Sequence, residues 1–126
     1  MNLKGKNIII TGGSLGIGKE TARALVKKGA NVLITGRSEN RLIEAKSYTG
    51  AKIIEFDIAD NDNICKNAVK AANDLNAKAI ISATYSGYSA LKVSSYRPKA
   101  FIYAFTNNHS ILNTMSIFWG VVGIYY

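Results

Sequence analysis

The sequence predicts an α/β fold, a Rossmann-like doubly wound parallel sheet covered by helices on both faces, in three αβα layers. Short apolar runs alternate with helix-like segments along the chain, which is typical of consecutive βαβ units. A glycine-rich turn, residues 11–18, joins the first apolar run to the first helical segment. In doubly wound folds such a turn binds phosphate. Because crossovers are right-handed, we expect six strands in the order 3-2-1-4-5-6.

The six strands are predicted where β-branched, aromatic and other apolar residues form short runs. The runs are Asn7–Ile10, Asn31–Thr35, Lys52–Phe56, Ala77–Ala83, Ala100–Phe105 and Val121–Tyr126. The first is apolar throughout from Ile8 to Ile10, as expected of a central strand that is buried on both faces.

A helix is predicted in each connection, because apolar residues recur there at intervals of three and four. Short polar side chains are expected to cap three of these helices, at Ser38, at Asp60 or Asn61, and at Asn107 or Asn108. The last helix is expected to continue to Gly120. Its apolar side would consist of Ile111, Leu112, Met115, Phe118 and Trp119.

Length and composition predict one globular domain, residues 1–126, since 48% of the residues are hydrophobic and 19% are charged. The net charge of +8 comes from dispersed lysines and arginines, so we expect no specific nucleic-acid partner. No apolar run reaches the length of a membrane span, so no membrane partner is expected, and no secretory leader is recognisable. The single cysteine, Cys65, precludes an internal disulfide and favours a cytoplasmic location.

The glycine-rich turn is a candidate anion site. The N–H groups of a first helical turn lack partners within the helix, and the helix dipole favours negative charge there. Glycine permits both the tight turn and a close approach of the backbone to a phosphate. The alternative is a purely structural turn that no longer closes over a ligand. The candidate contacts are Thr11, Gly12, Ser14, Gly16, Ile17 and Gly18.

Three signals lie at matching separations in the first half of the chain: Thr11-Gly12-x-x-x-Gly16-x-Gly18, Arg37 after the second strand, and Asp57-Ile58 after the third. Through them residues 1 to about 63 resemble the short-chain dehydrogenase/reductase family. The resemblance implies that the turn binds the pyrophosphate of NADP, that Arg37 meets the 2′-phosphate, and that Asp57 and Ile58 lie beside the adenine. In the alternative interpretation Arg37 is a solvated cation and Asp57 caps the next helix.

The catalytic pattern of that family, Tyr-x-x-x-Lys, is matched by Tyr88 and Lys92. It follows the fourth strand here, whereas the family carries it after the fifth. The position expected for an upstream serine holds Leu75-Asn76. We therefore attribute the match to chance in a chain rich in tyrosine and lysine, and predict no catalytic residue.

The second half carries a longer ordered set of matches. They are Ala77-Lys78-Ala79-Ile80-Ile81, Thr84-x-Ser86-Gly87-x-Ser89-Ala90, and Val93-Ser94-x-Tyr96-Arg97-Pro98-Lys99-Ala100. Through them residues from about 64 to 126 resemble the C-terminal, regulatory domain of pyruvate kinases. The resemblance implies a weak anion-binding loop formed by Thr84, Ser86, Gly87 and Ser89. Tyr88 stands where that family commonly has arginine.

The two resemblances meet inside one predicted helix, 61–75, without a linker. This favours a recombined or designed chimeric scaffold that has no catalytic activity and requires no cofactor. One alternative is an NADP(H)-binding remnant of a short-chain oxidoreductase. The other is a binder of phosphate or a phosphosugar through the loop Thr84–Ser89. Because the first and fourth strands are neighbours in the expected order, both loops should flank one crevice.

The remaining histidine and cysteine residues predict no further catalytic or metal site. No spacing typical of metal ligands is present, and His109 belongs to no catalytic motif. Cys65 is expected to be a small structural side chain. The last strand, Val121–Tyr126, contains no charged residue, so we expect an edge that is open to pairing with a second copy as a homodimer.

Overall fold

The computed structural model describes residues 2–55 and 61–126 of the chain. Strands and helices alternate strictly within these residues. In chain order they are β1 (Asn7–Thr11), α1 (Gly16–Lys27), β2 (Asn31–Gly36), α2 (Glu39–Thr49), β3 (Lys52–Glu55), α3 (Asn61–Asp74), β4 (Ala79–Ala83), α4 (Tyr88–Ser95), β5 (Phe101–Thr106), α5 (His109–Met115) and β6 (Val121–Tyr125).

The strands form one six-stranded sheet in the order β3-β2-β1-β4-β5-β6, and every neighbouring pair is parallel. The predicted fold class and strand order are therefore confirmed. The central strand β1 is apolar on both sides, and Ile9 and Ile10 are completely buried. This burial explains its continuous apolar run, because a central parallel strand has no solvent-facing side.

Two cores cover the two faces of the sheet. On one face, Ile10 and Ile34 pack with residues of α1 and α2. On the other, Ile9 and Leu33 pack with residues of α3 and α4. The short helix α5 extends this second layer, where Met115 packs with residues of α4 and β5. The protein thus has the predicted three layers.

The last helix is shorter than predicted. It begins at the expected cap, where the Asn108 side chain accepts a hydrogen bond from the Ser110 N–H (3.1 Å), but it ends at Met115 instead of reaching Gly120. The Ser116 hydroxyl donates to the Asn113 carbonyl oxygen (2.7 Å), and such local side-chain bonds compete with helix continuation. Trp119 consequently lies outside the helix and is half exposed.

The other boundaries differ from prediction by one or two residues, except around the third strand. Phe56 and the predicted cap Asp60 lie outside the described residues. Ser38 occupies the N-cap position of α2 as predicted, although its side chain makes no capping hydrogen bond. In the described part of the chain, no helix is both long and apolar enough to cross a bilayer.

Candidate functional site

A crevice of about 430 Å³ opens at the carboxyl ends of β1, β2 and β4. It lies at the switch point of the sheet, because β1 connects through α1 to β2 on one side and neighbours β4 on the other. Open parallel sheets bind ligands at this position. Both predicted loops reach it. The predicted residues that line it are Thr11, Gly12, Ser14, Arg37, Thr84, Ser86 and Ser89.

The turn after β1 requires glycine at two positions for different reasons. Gly12 has a φ of 74°, in the left-handed region that glycine tolerates, and its N–H donates to the Thr35 carbonyl oxygen (3.1 Å). At Gly18 a Cβ atom would stand 2.8 Å from the Gly12 carbonyl oxygen. The start of α1 therefore packs directly against the turn. Gly16 and Ile17 belong to the first turn of α1 and do not line the crevice.

The N-terminus of α1 has no cap of its own. Leu15 occupies the N-cap position, no side chain caps the helix, and its first turn contains no acidic residue. The first helical hydrogen bond runs from the Lys19 N–H to the Leu15 carbonyl oxygen. The N–H groups of residues 13–18 find no acceptor among the described residues. This is the arrangement that attracts an anion to a helix start.

Two arginines border the crevice beyond β2. Arg37 follows the strand as predicted, and Arg41 lies on the first turn of α2. Both are exposed, and neither forms an ion pair with a described residue. The sequence analysis missed Arg41, which belongs to no motif and is recognised as a crevice residue only from the position of α2. Together they make this end of the crevice cationic.

The second loop uses its hydroxyl groups internally. Thr84 Oγ1 accepts a hydrogen bond from the Gly87 N–H (3.0 Å), and Ser86 Oγ accepts from the Tyr88 N–H (3.4 Å). An anion at this helix start would have to replace these bonds. Gly87 is the N-cap of α4 with a φ of 81°, and it does not line the crevice itself.

The Tyr-x-x-x-Lys pair lies on α4. Tyr88 lines the crevice, and Lys92 Nζ stands 5.6 Å from the centre of the Tyr88 ring. Leu75 occupies the sequence position expected for a catalytic serine. It lies at the amino ends of the strands, whereas the crevice lies at their carboxyl ends. There it lines a smaller cavity of about 190 Å³ beside the amino ends of β1 and β2. The sheet therefore separates these two positions.

Sequence analysis also missed Thr35, a hydroxyl residue that lines the crevice. Thr35 is completely buried, lines the crevice, and its Oγ1 has no hydrogen-bond partner. Nothing in a sequence tells whether a buried hydroxyl is satisfied. Asp57 and Ile58, expected beside an adenine, lie outside the described residues. Within those residues, no group of three or more histidine, cysteine, aspartate or glutamate side chains could hold a metal ion.

Two family models match the chain. The KR domain matches residues 7–92, and the pyruvate kinase alpha/beta domain matches residues 62–126. The chain belongs to both families. Both predicted resemblances are thus confirmed, and the matches overlap from residue 62 to residue 92, through α3, β4 and the start of α4. The KR match extends beyond the boundary expected near residue 63.

Relatives of both kinds exist among known proteins. A pyruvate kinase of Lactobacillus delbrueckii subsp. bulgaricus is 38% identical over 76 residues, covering 60% of this chain and 12% of that protein. A short-chain dehydrogenase/reductase of Armillaria gallica is 42% identical over 73 residues, covering 53% of this chain and 24% of that protein. An L-rhamnose 1-dehydrogenase (NADP(+)) of Thermoplasma acidophilum is 39% identical over 66 residues, covering 49% and 26%. The chain thus spans at most about a quarter of these relatives' length.

Solved structures share the fold. A short chain dehydrogenase from Bacillus anthracis superposes with a TM-score of 0.67 at 22% identity, covering 83% of this chain and 56% of that one. An L-sorbose reductase from Gluconobacter frateurii, complexed with NADPH and L-sorbose, gives a TM-score of 0.63 at 20% identity, with 83% and 54% coverage. At these identities the likeness shows the Rossmann-like fold alone.

Proposed function

We propose that the chain is a chimeric Rossmann-like domain that binds an NADP(H)-type dinucleotide and has no catalytic activity of its own. The supporting observation is that one crevice joins the uncapped N-terminus of α1 to Arg37 and Arg41. Helix N–H groups suit a pyrophosphate, and guanidinium groups suit a further phosphate. The dinucleotide is not required for folding in this proposal.

The chimeric origin is supported by where the two family matches meet. They overlap from α3 onward, and no linker separates them. Recombination or design at equivalent positions of two α/β folds would leave such a seam, whereas fusions of whole domains have exposed linkers. We further propose a cytoplasmic location, since a single cysteine suits a reducing compartment.

The absence of catalysis is proposed from the surroundings of Tyr88. A reductase of this kind needs a serine beside the tyrosine, and the sought position is occupied by Leu75-Asn76 at the amino ends of the strands. Of the serines near Tyr88, Ser89 shares a hydrogen bond with Ser82 (2.8 Å between hydroxyl oxygens) and Ser86 accepts from the Tyr88 N–H. We expect the tyrosine to form one wall of the crevice.

Titrating the protein with NADPH while following NADPH fluorescence tests the binding proposal. We expect saturable binding that Arg37→Glu weakens about tenfold or more, because a charge-assisted contact becomes a repulsion. Lys70→Glu makes the same charge change at an exposed site on α3 away from the crevice and should bind like the unmodified chain. No saturation at millimolar NADPH contradicts the binding proposal. Turnover of NADPH with carbonyl substrates, abolished by Tyr88→Phe, contradicts the proposed lack of catalysis.

A phosphate or phosphosugar site at the loop Thr84–Ser89 is the second candidate, because Thr84, Ser86 and Ser89 line the same crevice. The internal bonds of Thr84 and Ser86 oppose it. Inorganic phosphate added during the NADPH titration separates the two candidates. If phosphate competes with NADPH, and Ser89→Ala abolishes this competition while Arg37→Glu does not, the result favours the phosphate site at the loop Thr84–Ser89.

A further inference from the structure

The end of β2 holds a buried hydroxyl group without a partner. Thr35 is 0% exposed, and its Oγ1 is the single buried side-chain polar atom in the described part of the chain that makes no hydrogen bond. Buried hydroxyl groups are almost always paired, and an unpaired one destabilises the folded state. The unpaired atom therefore needs an explanation.

Thr35 belongs to a row of three hydroxyl residues at one level of the sheet. In the strand register Thr11 lies beside Thr35 on one side and beside Ser82 on the other. All three share the face of Ile9 and Leu33, since side chains alternate along a strand. We call these three residues the hydroxyl row.

Two members of the hydroxyl row have partners within the protein. Thr11 Oγ1 donates to the Ile81 carbonyl oxygen (3.3 Å), and Ser82 Oγ shares a hydrogen bond with Ser89 Oγ (2.8 Å). Thr35 is the open member. Thr35 is one of the residues that line the crevice, as are Arg37 and Arg41.

We infer that Thr35 Oγ1 is a ligand-contacting group that hydrogen-bonds an oxygen of the ribose-phosphate part of the bound dinucleotide. A hydroxyl can donate to a phosphate oxygen and can both donate to and accept from a ribose hydroxyl. An apolar ligand at this position would leave the atom unpaired. The inference rests on the proposed function. It adds a contact that increases the affinity for the dinucleotide, while the same hydroxyl group, unpaired without ligand, lowers the stability of the unliganded protein.

Thr35→Val tests the inference, because it removes the hydroxyl and keeps the shape of the side chain. We expect it to weaken NADPH binding roughly three- to tenfold, the loss of one hydrogen bond. Thr35→Ser retains the hydroxyl and should bind more tightly than Thr35→Val. Thr106→Val is the matched control: Thr106 is equally buried, at the end of β5, but does not line the crevice. Its binding should equal that of the unmodified chain.

Thermal unfolding without ligand gives a second, independent readout. Thr35→Val should leave Tm unchanged or raise it by a few degrees, because it removes an unsatisfied polar atom. Thr106→Val should lower Tm, because Thr106 Oγ1 accepts a hydrogen bond from the Asn108 N–H (3.1 Å).

The outcomes separate this inference from the proposed function. If NADPH binds and Thr35→Val binds equally well, the contact at Thr35 is refuted while the crevice remains a binding site. If Thr35→Val lowers Tm as much as Thr106→Val does, Thr35 has a partner within the protein and the inference fails. If the unmodified chain binds no NADPH, the proposed function and the contact both fail.

Discussion

At the scale of single residues, the glycine-rich turn is the part of the site that the sequence predicts best. Positions 12 and 18 are glycine for reasons of backbone geometry, and backbone geometry follows from local sequence. Gly12 takes a positive φ, and Gly18 leaves room for the Gly12 carbonyl oxygen. The turn can therefore be recognised without knowledge of the ligand.

Gly18→Ala should destabilise the protein by about 1–3 kcal/mol, because the added methyl group would meet backbone atoms that cannot rotate away. The nearest are the Gly12 carbonyl oxygen at 2.8 Å and the Gly13 Cα at 3.0 Å. Gly36→Ala is the control, since its new methyl group would meet the flexible end of Leu42 at 3.2 Å. Urea denaturation measures both, and equal losses for the two variants would contradict this packing.

Other residues of the site could not be predicted, and the reasons differ. Arg37 can be predicted because it directly follows a strand. Arg41 lines the crevice only because of where the first turn of α2 lies in the fold, and the sequence does not show this position. The open hydroxyl of Thr35 depends on three strands at once. Which hydroxyl residues lie beside it is decided by the register of β1, β2 and β4, which a linear pattern does not contain.

At the scale of elements, strands were easier to predict than the ends of helices. The strands are short apolar runs, while at the end of α5 hydroxyl side chains bond backbone carbonyl groups of the helix. Ser116 bonds Asn113, and Thr114 Oγ1 donates to the Ser110 carbonyl oxygen (3.2 Å). The apolar spacing of Phe118 and Trp119 continues beyond that point, so periodicity alone extended the helix too far.

The edge strand β6 is predicted to pair with β6 of a second copy as a homodimer. It is bonded only to β5 among the described strands, and no charged residue follows Lys99 in the sequence. An uncharged edge strand leaves backbone N–H and C=O groups that can bond another strand. Each chain carries a net charge of +8, but β6 contains no charged residue, so no like charges would face each other where two β6 strands pair.

Val122→Lys should shift the chain to monomer, because Val122 is half exposed on this edge and a lysine there blocks edge pairing. Val122→Thr keeps the β-branched shape without charge and should leave the dimer intact. Light scattering over a range of concentrations measures both. A monodisperse monomer of the unmodified chain at high concentration would refute the pairing.

At the scale of the whole molecule, the fold follows from the alternation of strands and helices. The sheet is continuous across the residues where the two family matches overlap. The core on the α3 face mixes residues from both parts. Ile9 and Leu33 come from the part that only the KR model matches, Val93 and Ile102 from the part that only the pyruvate kinase model matches, and Ile80 from the overlap. The two parts therefore share one core and should not fold separately.

This shared core predicts one cooperative unfolding transition. Fluorescence of Trp119, the single tryptophan, reports on the second part, and far-UV circular dichroism reports on the whole chain. The two should change together in urea. Ile9→Ala, in the first part, should lower the midpoint of both by the equivalent of about 2–5 kcal/mol. Ile117→Ala removes an exposed side chain and should change neither. Separate transitions would mean that the halves are independent.

The central claim is that the crevice binds a phosphorylated dinucleotide, and the affinities of NADPH and NADH for the unmodified chain test it most directly. The two ligands differ by the 2′-phosphate, which we propose that Arg37 and Arg41, both lining the crevice, contact. Calorimetric titration should give NADPH at least about tenfold tighter binding than NADH, as expected for a lost charge-assisted contact. Equal affinities would contradict the role of the two arginines, and no binding of either would contradict the claim itself.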